Sequence, residues 1–246
     1  MRLIVGMSTA TACLVASQLA PALTAIPTIR RLAPALSGLG QPRHVALTFD
    51  DGPHPRSTPA FLRLLEQREV RATFFLLGAS AARWPALTRE LADAGHELAV
   101  HGWDHRCMAL TSPKATYEGL ARARDVIAEQ TGIRPRWFRP SYGVLTAAAI
   151  HASRRLGLTP ILWTNWGRDW TGRATASSVR ATVTRGLSGG AVILLHDATG
   201  GHAAPGAWRA TLAALPAILD HCTGRDLQVG RLQEHGIPRP RQERSQ

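Results

Sequence analysis

Two acids stand side by side in Thr48-Phe49-Asp50-Asp51-Gly52-Pro53, directly after an apolar run. Neighbouring residues of an extended chain point in opposite directions, so the pair can divide its labour. One carboxylate can bind a cation while the other stays free to take a proton. Further on, His101-Gly102-Trp103-Asp104-His105 offers two imidazoles four residues apart, a spacing from which both reach one ion out of a helical turn or tight loop. This is not the His-Glu-x-x-His zinc motif, because Gly102 stands where that motif carries its base. A base must come from elsewhere, and Asp50 is the candidate. Asp51 then supplies the oxygen ligand of a set of two histidines and one carboxylate, an arrangement that holds zinc and leaves room for water. The alternative for Asp50-Asp51-Gly52-Pro53 is a plain turn, since Asp, Gly and Pro are the commonest turn residues.

Three more segments carry chemistry. Phe138-Arg139-Pro140-Ser141-Tyr142-Gly143 sets an arginine beside a Pro/Gly-punctuated turn, and a guanidinium there can lock a carboxylate bidentately. Trp163, Trp166 and Trp170 fall within eight residues, a density that suits stacking on a sugar face as well as core packing. Leu194-Leu195-His196-Asp197 places an imidazole at the mouth of a very apolar run. A carboxylate close to that ring would raise its pKa and fit it for proton donation.

The elements that must position these residues follow from hydropathy. From Gln41 onward short apolar runs alternate with amphipathic stretches, the pattern of parallel strands covered by helices. Strands are predicted at 44–49, 72–77, 97–101, 137–139, 160–163, 191–196 and 228–232, about seven in all. Helices are predicted to start at Thr58 as N-cap before Pro59 and at Ser112 before Pro113. Gly95, Gly132 and Gly157 are placed to close three of them. The first strand ends in Asp-Asp-Gly-Pro rather than a glycine-rich phosphate loop, which speaks against an open dinucleotide-binding sheet. Parallel α/β sheets carry their chemistry at the carboxyl ends of strands, and Asp50, Asp51, His101, Arg139, His196 and Asp197 all fall there.

Composition agrees with one globular domain: 246 residues, 45% hydrophobic and 19% charged. Cys13, Cys107 and Cys222 are too scattered for a disulfide scaffold and form no C-x-x-C pair, so any metal must sit on His and carboxylates. The formal charge of +12 invites a nucleic-acid reading. Its distribution argues against one, because the arginines are spread over almost every segment, and a loose attraction to acidic cell-envelope polymers fits better. No acid precedes Asp50, and Leu3 to Ala20 is an apolar stretch after Met1-Arg2, as in a secretory signal peptide. Ser8, Thr9, Thr11, Ser17 and Gln18 interrupt it, so no stable membrane insertion is expected beyond that signal. The expected organisation is an N-terminal hydrophobic segment at 1–41, a domain at 42–238 and a basic polar tail at 239–246. The expected location is secreted or envelope-associated, or cytoplasmic if the segment is not a signal.

Taken in order, the five segments resemble one family, the polysaccharide deacetylases with a NodB homology domain (carbohydrate esterase family 4), over about Pro42 to Pro238. The resemblance implies a distorted (β/α) barrel of about seven parallel strands with one divalent metal at its open end, zinc in the first place and cobalt as its substitute. It makes Asp50 the general base and Asp51, His101 and His105 the metal ligands. Arg139 becomes the residue that orients the base, and the main-chain N–H of Tyr142 the oxyanion donor. Asp169 pairs with His196 as general acid, and Trp170 and Leu194 wall the acetyl pocket. The implied reaction removes N-acetyl or O-acetyl groups from a polysaccharide or oligosaccharide, an N-acetylglucosamine-containing chitin oligomer or peptidoglycan in the first place and acetylated xylan as the alternative, and the chain is expected to be a monomer. Where many members carry an aspartate three residues before Asp169, this chain has Trp166. The competing readings are a hydrolase of small non-peptide C–N bonds and an inactive carbohydrate-binding protein; the second would be expected to have lost a ligand or the base, and none is lost.

Overall fold

The computed structural model describes residues 16–30, 32–201 and 203–237. The tail at 239–246, Cys13 and most of the apolar N-terminal stretch therefore lie outside the described residues. Among the described residues eight strands form one parallel sheet: β1 His44–Asp50, β2 Thr73–Leu76, β3 Glu97–Val100, β4 Trp137–Phe138, β5 Thr159–Pro160, β6 Asn165–Trp166, β7 Val192–His196 and β8 Gln228–Gly230. Their order is β5-β4-β3-β2-β1-β7-β6, with β8 paired to the start of β1. The sheet curls into the distorted barrel expected, open along the seam between β5 and β6.

The curl gives each strand two buried faces, and the parity of residues decides which face meets what. On β1, Val45, Leu47 and Phe49 join the outer core against the helices, with Phe74, Leu76, Leu98, Val100, Phe138, Ile193 and Leu195 from its neighbours. Ala46 faces the interior with Phe75, Ala99, Trp137, Val192 and Leu194. Continuing the inner parity to the carboxyl ends of the strands reaches Asp50 and His196 and, one residue beyond the ends of β3 and β4, His101 and Arg139. The register pairs Asp50 with His196 on β7 and with Phe75 on β2.

Helix ends follow local chemistry in most places. Ser112 accepts from the Ala115 N–H at 3.2 Å and caps the helix Pro113–Thr131, which ends at Gly132 with φ 71°. Gly95 (φ 80°) and Gly157 (φ 70°) stand just past the ends of two others. The cap expected at Thr58 is corrected. Ser57 holds the cap position without a side-chain bond, and Thr58 is the first residue of the helix Thr58–Gln67. The Thr58 hydroxyl serves tertiary contacts: it donates to Asp197 Oδ2 and accepts from the His54 N–H at 2.9 Å.

The strand assignments also change. The strand expected at 160–163 ends at Pro160, and Leu162 N–H donates to the Leu36 carbonyl at 2.7 Å instead of to a strand. Asn165–Trp166, unpredicted, pairs with β7. Among the described residues no helix is long and apolar enough to cross a membrane, and Cys107 and Cys222 are free thiols.

Ser57 and Thr58 separate capping from tertiary bonding. The Ser57 hydroxyl is fully buried with no hydrogen-bond partner, so Ser57→Ala is expected to leave the urea midpoint unchanged or raise it. Thr58→Ala strips a donor from buried Asp197 and is expected to cost about 1–3 kcal/mol in the same measurement.

Candidate active site

The carboxyl ends of the strands open into a cavity of about 220 Å³, smaller than a drug-sized pocket and suited to one small group. Asp50, Asp51, His101, His105, Leu194 and His196 lie at its base, and Trp163, Trp166 and Trp170 form one wall.

Arg139 organises the floor. It is wholly buried, and its Nη1 donates to Asp50 Oδ1 at 2.7 Å and to Thr48 Oγ1 at 2.8 Å, while Nη2 donates to the Leu162 carbonyl at 2.8 Å. The contact with Asp50 is one bond rather than the bidentate lock the sequence suggested, because the second arm of the fork goes to Leu162. The guanidinium lies 4.0 Å from the centre of the Phe75 ring. Burial lowers its pKa and the Asp50 carboxylate opposes the shift.

Asp51, His101 and His105 converge as a second group. Asp51 Oδ1 lies 3.5 Å from His101 Nε2 and 3.3 Å from His105 Nε2. A tetrahedral ion with bonds near 2.1 Å spaces its donor atoms by about 3.4 Å, so the residues fit such an ion. Two further features agree. Asp51 Oδ1 is buried without a hydrogen-bond partner, and His101 Nδ1 faces the Arg139 carbonyl at 2.9 Å, which leaves Nε2 as the lone-pair nitrogen. Burial lowers the pKa of both histidines, keeping them neutral as ligands must be, and it raises that of Asp51. Asp51 adopts φ 81°, and Asp51 Oδ2 accepts from the Gly200 N–H at 3.1 Å. A Cβ at residue 200 would stand 2.3 Å from the Asp51 carboxyl carbon, so only glycine fits there.

On the opposite side of the floor His196 meets Asp169. His196 Nδ1 donates to Asp169 Oδ1 at 2.8 Å, and Asp169 Oδ2 accepts from the His196 N–H at 2.8 Å and from Thr211 Oγ1 at 2.7 Å. Burial alone would lower the imidazole's pKa. Asp169, by charge and hydrogen bond, with Asp51 and Asp50 behind it, carries it up to about 10. Asp169 is likewise drawn down by His196 and Thr211 against its own burial.

Tyr142 sits in the left-handed region at φ 60°, with its ring edge-on to His105 at 4.4 Å. The wall rings form an arc: Trp163 and Trp166 centroids are 5.8 Å apart, Trp166 and Trp170 5.0 Å, and Trp170 and His196 5.9 Å. The structure thus brings all ten sequence-derived site residues around one cavity, Arg139 and Asp169 buried behind it. Sequence reasoning missed Thr48, Thr211, Gly200 and the supporting role of Asp197. Thr48 was accessible through its parity with Asp50; Thr211 lies on a helix with no local signal.

The comparisons agree with this geometry. The profile of the polysaccharide deacetylase family matches residues 38–161. The chain belongs to the polysaccharide deacetylase family. It is 33% identical over 195 residues to a peptidoglycan-N-acetylglucosamine deacetylase of Listeria monocytogenes, matching 77% of this chain and 41% of that protein. The match therefore spans about two fifths of the length of that relative. A chitooligosaccharide deacetylase of Bradyrhizobium is 36% identical over 156 residues, covering 63% of this chain and 71% of the relative. Among solved structures, a family 4 carbohydrate esterase from Streptomyces lividans in complex with acetate superposes with a TM-score of 0.69 at 34% identity, covering 80% of this chain and 97% of the other.

The His196–Asp169 pair predicts a pH window for stability in metal-free protein. His196 has its folded pKa raised, so its contribution is full below 6.5 and is lost as pH rises through about 10. Asp169 has its folded pKa lowered, so its contribution is present above 3.8 and is lost as pH falls below it. Asp169→Asn is expected to drop the His196 titration by several pH units, read from the imidazole C–H resonances by NMR. An unshifted titration would show that Asp169 does not hold the ring.

Proposed function

We propose that this chain is a metal-dependent deacetylase that hydrolyses N-acetyl groups on N-acetylglucosamine-containing polymers, peptidoglycan or chitin oligomers, at the cell envelope. The observation that carries the reading is the pairing of Asp50 and His196 across adjacent strands. Arg139 holds one, Asp169 holds the other, and both border the Asp51, His101 and His105 triad. The relatives named as deacetylases support the substrate class.

Asp51, His101 and His105 would hold the ion. Two imidazoles and one carboxylate suit zinc, and cobalt accepts the same donors. When bound there, a divalent cation acts as a Lewis acid, polarising the acetyl carbonyl and making water a better nucleophile near neutral pH. This chain's own residues do the rest. Arg139 holds Asp50 in place by its hydrogen bond, so that Asp50 can take the proton of the attacking water. The main-chain N–H of Tyr142 serves as the donor to the developing oxyanion. Trp170 and Leu194 enclose the acetyl methyl and exclude water from it. His196, protonated on the Nε2 that faces the cavity, delivers its proton to the departing sugar nitrogen, because an amide ion is too basic to leave unaided. The products are acetate and a free amino sugar.

Asp50→Asn is expected to lower kcat by roughly 10²–10⁴-fold, the usual range for loss of a general base, with metal content intact, whereas His101→Ala loses both. Acetate release from chitin oligomers and metal analysis by mass spectrometry measure the two effects. Equal metal loss in both variants would make Asp50 a ligand and end its assignment as base. His196→Ala is expected to damage hydrolysis of an N-acetyl sugar far more than that of an activated aryl acetate, whose leaving group needs little protonation. An equal fractional loss on the two substrates would exclude His196 as the general acid.

A further inference from the structure

Trp163 walls the cavity, and what stands behind it comes from outside the strands. Residues 32–41 lie against the 161–163 and 190–192 segments, beside the open seam of the barrel. The Leu36 carbonyl accepts from Leu162 N–H at 2.7 Å, Gly40 N–H donates to the Gly190 carbonyl at 3.1 Å, and Gln41 N–H donates to the His235 carbonyl at 2.9 Å. Gly38 packs so close that a Cβ there would stand 2.7 Å from Val192 and 2.8 Å from Ile161. The short helix Pro27–Arg30 precedes this strap, tied to it by Ser37 Oγ, which donates to the Arg30 carbonyl at 2.8 Å.

Arg30 is 5% exposed, and its guanidinium carbon lies 4.5 Å from the centre of the Trp163 ring. No carboxylate among the described residues pairs with it, and its Nη1 is buried without a hydrogen-bond partner. Burial, with Arg139 nearby, lowers its pKa to about 10, so it remains a cation at neutral pH. A desolvated cation is costly unless something compensates it, and the indole face is the compensation present; cation–π attraction strengthens when water is excluded. The Trp163 ring in turn abuts the turn after β4, where a Cβ on Gly143 would stand 2.7 Å from the ring edge.

We propose that Arg30 is a positioning residue: from the strap it fixes the Trp163 wall against the Tyr142–Gly143 turn and so sets the width of the cavity. The strap is then part of the working site, and any processed form of the chain retains Arg30. The kinetic half of this inference rests on the deacetylase reading; the structural half does not.

The test uses the full chain with Arg30→Ala and Arg30→Lys. Arg30→Ala is expected to raise KM for an N-acetylated chitin oligomer about tenfold with kcat changed much less, and Arg30→Lys, which keeps a cation over the ring, to recover most of the loss. The intrinsic tryptophan emission of Arg30→Ala should shift, and the shift should vanish when Trp163→Phe is added. Metal content should stay at the wild-type level. Should Arg30→Ala fail to fold, Arg30→Gln supplies the same readings. Unchanged KM and emission, or a lysine variant as impaired as the alanine one, would overturn the proposal. Sequencing the N-terminus of the exported protein gives an independent reading: a start at or before residue 30 supports it and a start beyond Arg30 overturns it. If the wild type releases no acetate, the deacetylase reading fails, while the emission and the N-terminus still decide the role of Arg30.

Discussion

A guanidinium with no solvent exposure lies at the centre of this barrel, and the site is built around satisfying it. Arg139 must replace its lost hydration with protein partners, and it takes them from Asp50, Thr48 and Leu162, with Phe75 beneath the plane. Its own carbonyl faces His101 Nδ1. One residue, through its side chain and its carbonyl, therefore ties β1, the end of β4, the segment after β5 and the ligand candidate His101 together. Removing one partner of such a buried pair typically costs about 3–5 kcal/mol, so Asp50 is constrained by stability as well as by chemistry.

The same cavity holds histidines pushed in opposite directions, and the difference lies in what each Nδ1 meets. His101 faces a neutral carbonyl, so burial prevails and the ring is held neutral with its other nitrogen free to bind an ion. His196 faces a carboxylate, which overcomes burial and holds the ring protonated. Two residues of one type are thus pushed in opposite directions, chiefly by what each Nδ1 meets. Asp197, next in sequence to His196, is an acid in a third setting. Burial pushes it up to about 7 against the Thr58 bond, and it packs so tightly on Gly52 that a Cβ there would stand 2.5 Å from its oxygen. It buttresses the turn that carries Asp51.

The cavity residues at strand ends were legible in the sequence, because buried apolar runs stop there and Gly or Pro punctuates the chain. Asp50, His101, Arg139 and His196 each continue the inward parity of a strand recognisable from its hydrophobicity. What escaped had no such signal. Trp166 joins β6 in only a two-residue ladder, too short for period-2 patterning to register. Thr58 has the residue type and setting of an N-cap, yet its hydroxyl is claimed by Asp197, 139 residues away. Thr211 reaches Asp169 from a helix whose pattern reports only burial. Arg30 and Leu36 read as part of a hydrophobic leader, because sequence alone gives no hint that the seam between β5 and β6 lies open beside them.

Trp166 also shows how a departure from family pattern becomes physical. Its register partner on β7 is Leu194, which itself pairs with Thr48 on β1, so residue 166 belongs to an inward-facing row one step below Asp50 and His196. An aspartate in that row would bring an acceptor for sugar hydroxyls and a further negative charge close to the cavity. An indole has a face to offer and no acceptor. With Trp163 at 5.8 Å, Trp170 at 5.0 Å and the Arg168 guanidinium 5.1 Å from its ring, Trp166 completes a continuous aromatic wall. A surface of that kind can stack on the C–H face of a pyranose, and under the proposed deacetylase reading that would hold the sugar by its face above Asp50 and His196 at the floor.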